Sequence, residues 1–333
     1  MGIKTSYLLF IIILILVSCN TTTNRVDIDI SNININKIEI KRYGKQLFSL
    51  DKENLKQELI KLQPEYRIFL DGDLDDTINL IRLEDYISDT MLINVSKDCE
   101  KKYPDLNEIE TGLTKAIKHY KYYYPDSKVP DVYTYISGFD YEYKVQFVEN
   151  NLLIALDMYL GKNYSRYKYI GVPDYIISKF NRKYIVRDCM YEIANSKIKY
   201  ENIGNNLLDK IVNSGKLLWF VYAMLPDIPE TFLLNYTNEQ LKWAKENESI
   251  VWAFLIENKM LFSSEMQPVQ KFILDSPFTS YFGEDSPPRL GWWIGWQIVN
   301  NFMDKNRNIN LDDLMKNYDA QSVLNNSGYK PGR

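Results

Sequence analysis

Apolar positions change period several times along the chain, and each change marks an element. Residues 7–17 are almost unbroken apolar, too short a run for a comfortable permanent span. Val26, Ile28 and Ile30, then Ile33 and Ile35, then Ile38 and Ile40 alternate with polar residues; this predicts a strand broken at Ser31 and Asn32. A helix carrying Leu55, Leu59 and Leu62 follows and stops before Pro64. Residues 108–124 read as a helix with Leu113, Ile117 and Tyr120 on one side. Residues 132–136 are β-branched and aromatic, and 152–156 form a short buried run, so both are expected to be strands. Helices are expected at 185–194 and 207–225, the second interrupted at Ser214-Gly215 and stopped by Pro226. Thr237 with Gln240 fits a capping box opening a helix that runs to about Leu261. Ser286-Pro287-Pro288-Arg289 predicts a rigid turn before a helix over 290–303, and 310–318 is the last clear helix. The sum is an α+β fold, mainly helical with a small sheet, in a single globular domain over 26–333.

Composition narrows the function. With 45% hydrophobic and 25% charged residues the 333-residue chain can bury an ordinary core. A net charge of -4 argues against nucleic acid as a partner. The chain has one histidine, His119, which excludes every zinc site that needs two. Placed in a tyrosine-rich helix, it reads as a packing residue. No Gly-x-Ser-x-Gly elbow and no phosphate-binding glycine loop is present. The acidic stretch 71–76 fails as a calcium loop, because Leu74 interrupts it and Arg82 stands where the bidentate Glu belongs.

The N-terminus carries its own chemistry. Lys4, the apolar run and Leu16-Val17-Ser18-Cys19 resemble a bacterial lipoprotein signal. Residues 1–18 are then a signal peptide, Cys19 takes the lipid, and 19–25 form a polar tether. Acyl chains such as palmitate, at ~0.8 kcal/mol per buried CH2, give a stable anchor. Cys99 and Cys189 remain, and pairing between them is left open.

Several segments taken together resemble a known family. They are Ile40-Lys41-Arg42-Tyr43 with Leu47-Phe48, Ile136-Ser137-Gly138-Phe139, residues 155–161, and Val186-Arg187-Asp188-Cys189-Met190. Gly215-Lys216-Leu217-Leu218, Pro277-Phe278-Thr279 and residues 289–299 complete the set. In this order the chain resembles the gliding-motility lipoprotein GldB family of the Bacteroidota. The resemblance implies an outer-membrane lipoprotein, periplasm-facing, partnered by envelope or gliding-machinery proteins and needed for gliding in members that glide. It brings no set of catalytic residues with it.

The order of elements is also distantly similar to zinc proteases of the gluzincin type, whose helix carries His-Glu-x-x-His. The matching helix here offers Asp188, Cys189 and Glu192, a degenerate site for which no metal and no cofactor are expected. The tryptophan-rich segment suggests either core packing or an aromatic groove of Trp292 and Trp293 with Arg289 at its mouth, able to take a carboxylate or sugar acid. Gly291 and Gly295 share a helix face and permit close backbone approach. These readings imply a non-catalytic binding or scaffold protein, a pseudo-peptidase, with an extended peptide docking along an edge strand at 152–156. The alternatives are an active envelope hydrolase with an unrecognised metal or carboxylate site, and a purely structural lipoprotein. Asp76-Thr77-Ile78 and Asp89-Thr90-Met91 resemble O-glycosylation signals used by Bacteroidota.

Overall fold

The computed structural model describes residues 24–199 and 204–332. The signal segment 1–18 and the lipidation expected at Cys19 lie outside the described residues. The chain is bound to the body from Arg25 onward: its guanidinium donates to the carbonyls of Met303 (2.5 Å), Asn306 (3.1 Å) and Ile309.

The alternating isoleucines are interrupted by a turn at Ser31-Asn32, and only the end of that run joins a sheet, as β1 (Ile40–Lys41). The reason lies in the partners. The Ile38 amide donates to Thr114 Oγ1 at 2.9 Å and the Ile40 amide to Glu110 Oε1 at 3.2 Å, so side chains of a helix replace a strand ladder. Helices α1 (Tyr43–Phe48) and α2 (Leu55–Leu62) follow. Next come α3 (Thr77–Ser88) and α4 (Thr90–Lys102), whose N-caps are Asp76 and Asp89. Each cap carboxylate accepts an orphan backbone N–H of the first turn, from Ile78 and Leu92 respectively. Then come α5 (Asn107–Tyr123), β2 (Asp131–Tyr135), β3 (Val145–Val148) and β4 (Asn151–Ala155).

The sheet order is β1-β2-β4-β3, parallel except for β3, which runs antiparallel to β4. The strand over 152–156 is therefore interior, not an edge as its sequence suggested. Strand β3, which the sequence reading missed, takes the edge. Glu149 and Asn150, at φ 49° and 65°, close the β3–β4 hairpin in the left-handed pair that a two-residue turn requires. Alternation sorts the strands between two cores. Val132, Leu152 and Ile154 face the large helical core, while Tyr133 and Leu153 face a smaller cluster with Tyr43, Leu47, Leu59 and Tyr66.

Beyond the sheet lie two short helices, α6 (Ser165–Tyr169) and α7 (Asp174–Ile177), then α8 (Ile185–Lys197), α9 (Leu207–Met224), α10 (Glu230–Leu234) and α11 (Asn238–Glu257). The capping box expected at Thr237 and Gln240 is formed in both directions. Helices α12 (Met266–Ile273), α13 (Leu290–Lys305), α14 (Leu311–Asn317) and α15 (Ala320–Ser327) complete the chain, so one more helix follows the stretch taken as the last. The mainly helical α+β class and its small sheet are as expected.

Helix α9 is unbroken at Ser214-Gly215, contrary to the sequence reading. Ser214 Oγ bonds back to the Lys210 carbonyl at 3.0 Å, and Gly215 is the point where α13 crosses. A Cβ on Gly215 would lie 2.1 Å from the Gly295 carbonyl oxygen, and one on Gly295 would lie 2.0 Å from that of Ile211. The glycines serve helix contact, not helix ending. Two further segments of the family-like pattern also meet. Buried Asp157 accepts the Ser137 and Phe139 amides and the Ser137 hydroxyl, each at 2.9 Å, and so fixes the left-handed turn at Gly138-Phe139. Among the described residues no helix is long and apolar enough to cross a membrane.

Candidate functional site

A cleft of about 500 Å³ opens between the head of β3, one face of α8 and the start of α13. Helical periodicity sets its floor. Asp188 and Glu192 stand one turn apart on α8 and both line the cleft, while Cys189 turns inward and is fully buried. Arg289 and Trp292, from the start of α13, also line it. Trp293 points away into the core, 1% exposed, so of the tryptophans proposed for the groove only Trp292 reaches it.

Asp188 is buried, 7% exposed. Lys144, at the head of β3, donates to Oδ2 at 2.9 Å. Tyr159, from the 3-10 turn after β4, donates to the same oxygen at 2.8 Å. Arg187 donates to Oδ1 at 2.9 Å and, through Nη2, to the Leu233 carbonyl at 3.0 Å. Burial would raise the Asp188 pKa, but Lys144 and Arg187 outweigh it and hold the carboxyl below its ordinary range. At Glu192 the balance reverses, because Lys144 and Arg187 act on it more weakly than burial does. Burial, reinforced by the charge of Asp188, pushes its carboxyl up to about 7.

A second ionic group faces the first. Lys179 donates to Asp275 Oδ1 at 2.5 Å, and Arg289 Nε lies 3.1 Å from the same oxygen. The Nε approach lies off the N–H axis, so this is an ion pair without an aligned hydrogen bond. Arg289 Nη2 also donates to the Leu234 carbonyl at 3.0 Å. Burial, with repulsion from Arg289, pushes the Lys179 ammonium down to about 7 despite Asp275. The lysine is the deeper partner, so desolvation falls mainly on it.

Arg289 holds a left-handed backbone conformation at φ 52°, which costs a non-glycine residue about 1–2 kcal/mol. Its side chain offsets that strain: the guanidinium sits 4.2 Å from the centre of the Trp292 ring, and Trp292 stacks on Tyr191 at 5.6 Å. Asn235, also left-handed at φ 56°, lines the cleft, and its buried side-chain oxygen has no hydrogen-bond partner.

A zinc protease likeness implies a metal on α8, and the residues do not fit one. Both Asp188 oxygens are held by cationic groups, the Cys189 thiol faces the interior, and burial keeps that thiol protonated. Among the described residues no cluster of three or more His, Cys, Asp and Glu side chains is placed to hold a metal ion. Cys99 and Cys189 are both buried free thiols, and His119 is buried in α5, outside the cleft.

The sequence pointed to Asp188, Glu192, Arg289 and Trp292, and the fold brings those four together. It gave no sign of Lys144, Lys179 or Asp275. None of the three belongs to a recognisable motif, and only the fold makes them neighbours.

The whole-chain comparison agrees with the pattern of segments read from the sequence. The family model for the gliding motility protein GldB matches residues 23–331. No curated protein and no solved structure matches the chain. A match of that extent takes in both ionic groups of the cleft, the Asp157 lock and the glycine crossing, and it places the chain in the GldB family of gliding motility proteins.

Proposed function

We propose that this chain is a lipoprotein anchored through Cys19 to the outer membrane, facing the periplasm, and that it serves the gliding and envelope machinery as a non-catalytic binding component. The family membership supports the setting. The architecture on this reading is a degenerate gluzincin-like peptidase: a helix bearing the former catalytic positions lies beneath an antiparallel edge strand. One observation carries the non-catalytic part. Asp188, at the first ligand position, is bound on both oxygens by Lys144 and Arg187, so fixed cations hold the place a metal would need. What remains is a preformed cleft with aromatic and cationic walls, suited to holding a ligand rather than cleaving it.

The test uses the full-length chain in cells lacking it, scored for gliding or, in a non-gliding host, for growth under envelope stress. Trp292→Ala is expected to abolish rescue while the purified protein stays folded, holds no stoichiometric transition metal and turns over no peptide. Full rescue by Trp292→Ala would remove the cleft from the account, and a stoichiometric metal with matching turnover would establish the hydrolase alternative. That alternative draws on Glu192, a carboxyl pushed up to about 7 in a cleft, which is the condition a general acid or base needs. Hydrolysis abolished by Glu192→Gln with folding intact would be its signature.

A further inference from the structure

The cleft's charges are unevenly matched. Lys144 and Arg187 share Asp188, while Lys179 and Arg289 share Asp275. Two carboxylates thus meet four cations. Of the other acids lining the cleft, Glu142 is exposed and Glu192 is driven toward its neutral form by burial. Lys179 is itself pushed down to about 7 by burial and by Arg289, so its charge depends on an anionic partner; Lys144, Arg187 and Arg289 still outnumber the two carboxylates, and the inner wall keeps a positive surplus in a place largely closed to water. Lys179 is 9% exposed and Arg289 4%.

The two acids differ in kind. Asp188 is rooted in a helix and sealed, with three side chains donating to it. Asp275 sits on the irregular segment between α12 and α13 with its side chain 41% exposed. The hydrogen bond from Lys179 and the ion pair with Arg289 hold its carboxylate in place. A half-exposed carboxylate on a loop, reaching into a slot between two buried cations, shows by its own presence what group that slot accepts.

We infer that the slot between Lys179 and Arg289 is a binding site for a carboxylate carried by an extended peptide, and that Asp275 occupies it as a tethered competitor. This rests on the reading of the cleft as the working site. The strand beside it favours a peptide over an acidic sugar. The Ala155 amide donates to the Lys144 carbonyl at 2.9 Å, so the register turns the backbone groups of Val145 and Phe147 away from β4. The opposite sheet edge, β1, has its Ile40 amide taken by Glu110. Among the described residues the outward backbone groups of Val145 and Phe147 take no hydrogen bond, and the head of that edge, Lys144 and Val145, walls the cationic cleft. A chain adding along β3 can direct an acidic group to the slot.

The experiment compares the mature chain and its Asp275→Asn variant by calorimetry. The probes are an acetylated, amidated valine-threonine pentapeptide carrying one aspartate, the same peptide with asparagine instead, and an oligogalacturonate. Asp275→Asn is expected to tighten binding of the aspartate peptide at least ~10-fold, the scale of one charge-assisted contact, and to leave the asparagine peptide unchanged. Lys179→Met should lose binding of the aspartate peptide in either background, which keeps the test open if Asp275→Asn disturbs folding. Equal gains for both peptides, no gain for either, or tighter binding of the oligogalacturonate than of the aspartate peptide would each overturn the inference. Rescue of cells by Trp292→Ala would instead remove the underlying reading, whatever the calorimetry gave.

Discussion

The ammonium of Lys144 lies 2.9 Å from Oδ2 of Asp188, joining the edge strand β3 to the helix α8 beneath it. The bond closes a buried set with Arg187 on the other carboxylate oxygen. Removing the carboxylate strands two cations in a low-dielectric wall, so Asp188→Ala is expected to cost roughly 3–5 kcal/mol. Lys144→Met leaves Asp188 with Arg187 and Tyr159, and the lysine side chain is 22% exposed, so about 1.5–3 kcal/mol is expected. Urea unfolding of both variants at neutral pH measures this ranking; a milder loss for Asp188→Ala than for Lys144→Met would contradict it. The Asp188 pKa is depressed in the fold, so its stabilisation is present above the ordinary carboxyl range and is lost as pH falls through the folded value.

Glu192 works in the opposite direction. Its carboxyl is raised from 4.5 to about 7 in the fold, so the folded protein holds the proton that the unfolded chain releases. Stability from this group is greatest below its unfolded pKa and declines as pH rises toward 7. Glu192→Gln, which stays neutral, should therefore stabilise the protein at pH ~8 by roughly 1–3 kcal/mol. The gain should vanish near pH ~4, where both states of the wild-type carboxyl are protonated. Urea midpoints at the two pH values decide it, since a gain independent of pH would show that charge is not the cause.

How far the sequence foretold this arrangement depended on whether a signal was local. The Thr237 and Gln240 capping box is local, and it formed as written. Asp188 and Glu192 were placed on one face by helical period alone. The isoleucine alternation over 26–40 misled because a segment with one buried side needs no strand partner; side chains of α5 took the Ile38 and Ile40 amides. Strand β3 was missed because it has four residues and pairs only through its hairpin. Helices α3 and α4 were missed too, because their apolar pattern is weak and their starts depend on the Asp76 and Asp89 caps. Lys179 and Asp275 are 96 residues apart, and nothing in either local sequence announces the other.

The crossing of α9 and α13 gives a sharper test of packing. Gly295 approaches the backbone of α9 so closely that an added methyl would lie 2.0 Å from the Ile211 carbonyl oxygen, with no flexible side chain to yield. Gly295→Ala must force the helices apart along their whole contact, at a cost of about 3 kcal/mol or more. Gly161→Ala is the control: nothing lies within 4 Å of its added Cβ, and only the positive φ of 105° opposes it. That control should cost about 1–2 kcal/mol. Thermal unfolding of the pair separates steric closure from backbone preference, and a comparable loss in both would mean the helices can move apart cheaply.

The two thiols of the body probe the interior from another side. Cys99, on α4, is 1% exposed, and Cys189, on α8, is fully buried; both are free. Burial pushes both pKa values up, so the reactive thiolate is scarce as well as shielded. The folded protein should leave both cysteines unlabelled by a thiol reagent over hours at pH ~7.5, where even an unperturbed thiol is only partly ionised. Unfolding in urea without a reductant should expose two labelling sites, counted by mass. Fast labelling of Cys189 in the native state would mean that α8 opens away from the core. A single site, or none, after unfolding without reductant would mean that the thiols had oxidised. Because Cys189 adjoins Asp188, protection that falls on Asp188→Ala and persists in Lys144→Met would tie the opening of α8 to its carboxylate, linking the ionic set in the cleft to the packing beneath it.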